Sequence, residues 1–472
     1  MGFRGQDYAF DSPAAAVAGM ISRLADAGAA RPPETVAIDA ARGRVLAEDV
    51  RADRDSPAFD YSAMDGYAVR VADVEAVWRS AEAGASITLA VVGESRIGAA
   101  PPVLPSEPHC AGVGAAAIRI VTGAAIPQGT DAVVRREDVV EHAAEGRAAS
   151  ATVGERVTSI SIAPSVTAKG GVRPSDNIRR RGENARAGEM VLAAGTVLTA
   201  AALGTLAAVG CVRPRIHPRV RVAVITTGDE LVSPEATPGP YQIRNSNAAV
   251  IREVLGSHAW IEVVTRPDGS IMHTGDEESV LDAALEAVIR EADAVVLTGG
   301  VSMGHRDPVR ASVERVGGIG GGSDAEIAFH GLPQRPGKPM LGAVVCRDGG
   351  ANAEERVPVF GLPGNPISAM VTCTRIVLPV LASLAGAAAG LGAPRLVRLA
   401  NPDGKTLDLW CHRLVRINIL GEAELIDGRG SGDIIAGGRS DGFIEVPPNT
   451  AAHGAASAQA TPALVPFYPW PI

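Results

Sequence analysis

Aromatic side chains are scarce: Phe, Tyr and Trp together make up 3% of the 472 residues. A chain this poor in flat rings has little with which to stack bases, which excludes a platform for single-stranded nucleic acid. Positive charge is in deficit too. Lys and Arg number 44 against 53 Asp and Glu, a formal net charge of −9, and that sign argues against a general nucleic-acid binder. Paired cysteines are missing. Cys110, Cys211, Cys346, Cys373 and Cys411 are scattered and odd in number, with no Cys-x-x-Cys spacing. That excludes a disulfide scaffold and a structural zinc site, and suits a reduced, cytoplasmic protein. The nine histidines form no His-x-x-x-His pair. The longest apolar run, Ala200 to Val212, is too short to span a bilayer. The charged start, with Arg4, Asp7 and Asp11, reads as no leader. No membrane association is expected.

What is present is a chain too long for one domain and 46% hydrophobic, enough for several cores. From Arg219 to about Gly386 strand-like and helix-like stretches alternate. The strands are Arg221–Thr226, Trp260–Thr265, Asp293–Thr298 and Val357–Gly361; the helices lie near Asn247–Leu255, Glu277–Arg290, Val309–Val316 and Pro366–Ala385. Alternation of this kind predicts a parallel, three-layer α/β domain. Asp55 to Asp176 carries short strands between Gly/Pro-rich turns and reads as a β insert, with loops at Gly98–Gly114 and Ala143–Gly154. The expected division is a linking domain (1–54 with 177–217), a β insert (55–176), an α/β domain (218–388) and a small C-terminal β domain (389–472).

The chemistry concentrates where one strand meets one helix. Leu297-Thr298-Gly299-Gly300-Val301-Ser302-Met303-Gly304 follows the buried run Asp293–Leu297 and precedes a helix with Val309, Val313 and Val316 on one face. Free backbone N–H groups and the helix dipole both point to such a loop, and glycines let a phosphate approach. Ser302 adds a hydroxyl. Asp307 would repel a phosphate unless a cation lay between them, which suggests phosphate plus a divalent metal such as Mg2+. The alternative is a tight turn with Asp307 as helix N-cap.

Further groups belong to the same edge if the sheet is parallel. Strand ends place Glu230, Asp268 and Asp307 together, and three converging carboxylates would need a metal. Each is also an ordinary turn or cap residue. The turn Gly361-Leu362-Pro363-Gly364-Asn365-Pro366, with Ser368 in the first helical turn, is stiff enough to shape a pocket for a planar ring. Arg335 and Lys338 flank a rigid Pro-Gly step, and Arg179-Arg180-Arg181 forms a second basic cluster; either suits an oxyanion or a solvated face. Phe59 to Arg70 is unusual in composition, but its residues alone assign it no chemistry.

Seven blocks in order give the sequence a resemblance. They are FDYSAMDGYAVR (Phe59–Arg70), RIVTGAAIPQGTDAVV (Arg119–Val134), NIRRRGENARAG (Asn177–Gly188), TGDEL (Thr227–Leu231), TGGVSMGHRD (Thr298–Asp307), PGKP (Pro336–Pro339) and GLPGNPISA (Gly361–Ala369). The chain resembles the MoeA family, the molybdopterin molybdenumtransferases, which includes the C-terminal domain of gephyrin. The resemblance implies a MogA-like molybdopterin-binding α/β domain and a small C-terminal β-barrel. It implies adenylylated molybdopterin and molybdate as substrates, with AMP released as molybdenum enters the dithiolene.

By the same resemblance, Thr298, Gly299, Gly300, Ser302, Gly304, Pro363, Asn365, Pro366 and Ser368 belong to the substrate site. Asp268, Asp307 and Glu230 surround metal and phosphate, and Arg335 and Lys338 supply positive charge. Asp65 and Thr122 of the insert would face the α/β domain of the other chain in a homodimer, and Arg179, Arg180 and Asn184 join Thr122 among the substrate-binding residues. A molybdopterin adenylyltransferase is the implied partner protein. Three positions depart from the family: Asn184 where Asp is usual, Gly269 where a second Asp is expected, and Gly331 where a basic residue is expected. Two other readings stay open, an adenylyltransferase-like enzyme and a non-catalytic dimeric scaffold. The converging acids favour chemistry over a scaffold.

Overall fold

The computed structural model describes residues 8–25, 31–80, 86–106, 115–143, 157–162, 166, 171–301, 307–317, 325–348, 354–388, 390–449 and 464–471. Ser302 and Gly304, and much of the two loops expected at Gly98–Gly114 and Ala143–Gly154, lie outside these residues. The chain forms two compact units, residues 50–191 and residues 1–49 with 192–472.

In the larger unit the α/β alternation builds a seven-stranded sheet. Val220–Thr227 pairs in parallel with Ile261–Val264 and Met272–Thr274 on one side and with Ala294–Thr298 on the other. Ala294–Thr298 pairs in parallel with Glu354–Leu362. Alternate side chains of the Val220 strand feed two cores. Val222 and Val224 face the helices Ser246–Gly256 and Pro366–Leu384, while Ala223 and Ile225 face Glu278–Glu291 and Pro308–Val316. Three layers result, as predicted.

The sheet is not wholly parallel. Leu341–Asp348 returns antiparallel to Glu354–Leu362, and Glu326–His330 pairs antiparallel with Leu341–Asp348. The short connection from Asp348 to Glu354 permits no crossover helix, so an antiparallel return is the only one available. Neither Glu326–His330 nor Leu341–Asp348 was expected from sequence. A second difference concerns the edge strand. After Ile261–Val264 the chain leaves the sheet and comes back as Met272–Thr274 beside the same neighbour, so Asp268 lies on an excursion from the edge and not at the strand's end.

The helix over Pro366–Leu384 is 19 residues long and apolar enough to cross a membrane by length and composition, yet 78% of its most apolar 18-residue stretch is buried inside the protein. Cys373–Val377 forms a π-turn within it. It is the central element of the larger core, which takes in Met20 of the first helix and Phe443 of the C-terminal sheet. The first helix, Pro13–Leu24, starts as expected, with Ser12 accepting from Ala15 N and Pro13 at the first position.

The C-terminal sheet has six strands. Trp410–Ile417 pairs with Gln334–Arg335, Ala423–Leu425 and Gly442–Val446, and Leu464–Pro469 bridges Gly442–Val446 to Arg395–Arg398. A buried ionic group ties it to the core helix. Arg375 Nε lies 2.6 Å from Glu445 Oε2, and His412 Nε2 lies 3.1 Å from the same oxygen. The Arg375 guanidinium sits 5.3 Å from the Tyr468 ring centroid.

The smaller unit is built on a six-stranded sheet in the order Ala132–Arg135, Gly66–Val69, Ala116–Ile120, Ile87–Ser95, Val157–Ile162 and Val139–Ala143. The helix Val71–Ser80, unforeseen in a stretch read as β, packs Val71 and Val74 on this sheet.

Candidate functional site

The carboxyl edge of the seven-stranded sheet is lined by threonines. Thr226 and Thr227 end one strand, Thr274 its neighbour and Thr298 the next, and all four are buried. Gly299 and Gly300 follow with φ of +94° and +63°. A Cβ at Gly299 would stand 2.4 Å from the Thr227 carbonyl oxygen, so glycine is obligatory there. The Pro363–Asn365 turn closes onto this loop, with the Gly299 Cα 3.6 Å from where a Gly364 Cβ would be.

One amide holds the edge together. Asn247, in the first turn of its helix, donates from Nδ2 to Thr298 Oγ1 at 2.9 Å and to the Gly364 carbonyl at 2.8 Å. Thr298 Oγ1 in turn donates to the Pro363 carbonyl at 3.2 Å. Asn245 caps the same helix through Ala248 N and donates to Thr226 Oγ1 at 2.8 Å. Neither asparagine was singled out from the sequence; the signal available was Asn-Ser-Asn ahead of an apolar helical stretch. Among the described residues, Asn247 Oδ1, Thr227 Oγ1 and Thr274 Oγ1 are buried without a hydrogen-bond partner. Buried polar atoms of this kind are costly to leave unsatisfied and suit a polar ligand.

The predicted trio of carboxylates does not gather. Among the described residues, no three His, Cys, Asp or Glu side chains are placed to hold a metal ion. Glu230 is exposed and folds back, its Oε2 2.6 Å from where a Gly228 Cβ would stand. Asp268, on its excursion, accepts from Ser270 Oγ at 2.6 Å and Ser270 N at 2.9 Å. The Ser270 hydroxyl, then its N–H, hold the Asp268 carboxyl below the usual range. Asp307 caps its helix, accepting from Arg310 N at 3.0 Å, and its Oδ2 lies 2.8 Å from His330 Nε2. As placed, these acids do not fit Mg2+. The true strand end beside Thr227 brings up a different acid, Asp229, which accepts from Asp276 N at 3.1 Å.

The basic loop is stiff for visible reasons. Gln334 is fully buried and donates to the Gly337 carbonyl at 2.9 Å. Gly337 has φ +94°, and a Cβ there would stand 2.4 Å from Thr372 Cγ2 on the core helix. Arg335 is exposed, and Lys338 Nζ lies 5.9 Å from the Tyr8 ring centroid. At the other turn, Asn365 donates to Ser431 Oγ at 3.0 Å, and the Ser431 carbonyl takes the Ile367 N–H at the helix start. The C-terminal sheet domain thus occupies groups read from sequence as pocket walls. Pro366 is the first helical residue and Ser368 is buried.

In the smaller unit, Asp65 accepts from Thr122 N at 2.7 Å and Thr122 Oγ1 at 2.8 Å. The Thr122 N–H, then its hydroxyl, hold the Asp65 carboxyl below the usual range, with Arg136 and Arg119 assisting. The arginine run is tied down. Arg179 donates to Asn184 Oδ1 at 2.9 Å and pairs with Glu183 at 3.2 Å; Arg180 and Arg181 pair with Asp60 and Asp55, each at 2.5 Å. Asp60 also accepts from Arg181 N at 2.8 Å. The Phe59–Arg70 block, given no chemistry on its residues alone, therefore braces the arginine loop and supplies Asp65.

Family models match both halves of the chain. The MoeA N-terminal region (domain I and II) matches residues 12–210, and the probable molybdopterin binding domain matches residues 223–383. The molybdopterin molybdenumtransferase of Haemophilus influenzae is 31% identical over 353 residues, covering 75% of this chain and 73% of that protein. The chain belongs to the molybdopterin molybdenumtransferase (MoeA) family. Molybdopterin molybdenumtransferase 2 of Mycobacterium tuberculosis is 32% identical over 349 residues, covering 74% of each. In fold, the chain matches the molybdopterin biosynthesis moeA protein of Pyrococcus horikoshii OT3 with a TM-score of 0.69, covering 97% of this chain and 100% of that one at 24% identity.

Two of the three positions expected to depart from the MoeA pattern hold glycines at positive φ. Gly269 and Gly331 have φ of +78° and +98°, a region that side-chain-bearing residues rarely adopt. At the third, Asn184 accepts a single hydrogen bond from Arg179, which Glu183 already neutralises. Asn184→Asp is therefore expected to leave assembly intact and to change substrate or molybdate affinity by about tenfold or less, ~1.4 kcal/mol. Complete loss of activity in that variant would mean that the loop is built around the neutral amide.

Proposed function

We propose that the chain is a molybdopterin molybdenumtransferase in molybdenum cofactor biosynthesis, inserting molybdate into adenylylated molybdopterin with release of AMP. The observation that carries this is the presence, in order and in one chain, of both MoeA modules. An adenylyltransferase-like enzyme has no need of the smaller unit with its braced Asp65 and arginine loop. The polar edge formed by Thr227, Thr274, Thr298 and Asn247, with the Gly299–Gly300 turn, supports binding of the phosphate or pterin end. Arg335 and Lys338 supply charge for oxyanions, which stabilises negative charge during cleavage of the phosphoanhydride. Asp307, Glu230, Asp268 and Asp65 are the acids of the reaction. No step is routed through Mg2+; running the assay with Mg2+ and with a chelator measures any dependence directly.

The assay is AMP release from adenylylated molybdopterin with molybdate. Stoichiometric AMP with molybdenum incorporated supports the reading. No release from a folded dimer would favour the scaffold reading. The four described cysteines are free thiols, which supports a reducing, cytoplasmic location. The reading also includes a molybdopterin adenylyltransferase as the source of substrate, and a homodimer in which the smaller unit of one chain serves the α/β domain of the other. Light scattering is expected to give twice the 48.3 kDa of one chain. A monomer at micromolar concentration would remove the shared site.

A further inference from the structure

Lysine is rare in this chain. Lys169, Lys338 and Lys405 are its three lysines among 44 basic residues, the others being arginine. Lysine at position 338 places a compact ammonium there, which a guanidinium does not replace. A lysine side chain loses substantial rotamer freedom when it is held in one place, and contacts along it must offset that loss.

The candidate is the segment before the first helix, which is anchored at several points. Phe10 meets Phe329 edge-on, with centroids 5.9 Å apart, and the Arg23 guanidinium lies 5.9 Å from the Phe10 ring centroid. The Asp11 carbonyl accepts from Trp410 Nε1 at 3.0 Å, and Ser12 caps the helix. Trp410 lies on the strand that pairs with Gln334–Arg335, so the strand pair carrying the basic loop also fixes the chain just after Tyr8. Tyr8 thereby faces Lys338, whose Nζ lies 5.9 Å from the ring centroid, within the range of a cation–π contact. The Tyr8 hydroxyl is buried and has no partner among the described residues, so it does not hold the side chain in place.

We infer that Tyr8 is a positioning residue whose ring face holds the Lys338 ammonium at the oxyanion site. This rests on the function proposed above. Tyr8→Phe keeps the ring and Tyr8→Leu removes it. In the full-length protein, Tyr8→Phe is expected to match wild type in thermal stability and in AMP release. Tyr8→Leu is expected to lower kcat/KM for molybdate about fivefold, ~1 kcal/mol at 1.4 kcal/mol per tenfold.

A second measurement does not depend on turnover. With 13C-labelled lysine, the Lys338 ε-methylene signal, identified by its loss in Lys338→Arg, is expected to be ring-current shifted in wild type and Tyr8→Phe but not in Tyr8→Leu. If wild type releases no AMP, the functional reading fails, and the ring-current shift still decides whether Tyr8 holds Lys338. If wild type is active and Tyr8→Leu keeps its kcat/KM for molybdate, the inference is overturned. It is equally overturned if Tyr8→Phe behaves like Tyr8→Leu, because the hydroxyl and not the ring would then be responsible.

Discussion

Asp307→Asn is expected to keep wild-type stability and to lose AMP release on the order of a hundredfold, the effect of removing one preorganised electrostatic group. Asn caps a helix as well as Asp does, so the bond from Arg310 N survives the change. What disappears is the negative charge beside His330 Nε2. Asp307→Ala removes both, and should add a stability loss of about 1 kcal/mol for the missing cap. The pair of variants separates the two roles that one residue holds at the start of this helix. Wild-type AMP release in Asp307→Asn would reduce Asp307 to a cap.

The largest effect on stability is expected at the junction of the core helix and the C-terminal sheet. Glu445→Ala should destabilise the protein by about 3–5 kcal/mol in urea unfolding, because it leaves the Arg375 guanidinium buried without a counter-charge. The double variant Arg375→Met with Glu445→Leu should recover most of that loss, since neither desolvated charge remains. Burial works against ionised Glu445, but His412 and Arg375 outweigh it and hold its carboxyl at about 2, against an ordinary 4.5. A carboxyl depressed on folding stabilises the protein fully above its unfolded value. Its contribution should therefore hold above pH 4.5 and fall away as the pH drops through about 2. A loss under about 1 kcal/mol in Glu445→Ala would mean that water reaches the pair.

The layers of the α/β domain were legible because local pattern fixes them. Val222 to Ile225 alternate between two cores, and the helices carry apolar faces at helical spacing. The antiparallel strands at Glu326–His330 and Leu341–Asp348 were missed, because strand direction is set by connection length and pairing and leaves no trace in periodicity. The site divided in the same way. Gly299 and Gly300 announce a tight turn in any reading. Asn247 does not announce itself, since its two bonds join residues far apart in the chain. The predicted carboxylate cluster assumed that Trp260–Thr265 ended at the sheet's edge, and the strand instead resumes at Met272. Asp60 was invisible for a similar reason: what it braces lies about 120 residues further along.

The segment between Val264 and Met272 leaves one neighbour and rejoins the same one, so its ends are fixed while its length is not. Doubling a flexible loop adds only about 0.6 kcal/mol of closure entropy. Residues can therefore be gained or lost there without shifting the register of any strand. Asp268 rides on a part whose reach can be tuned independently of the scaffold, whereas Thr298 and Asn247 cannot move without disturbing the sheet or its helix. Across relatives, then, length variation should collect between these two half-strands, and the span of that insertion should follow the size of whatever the aspartate must reach.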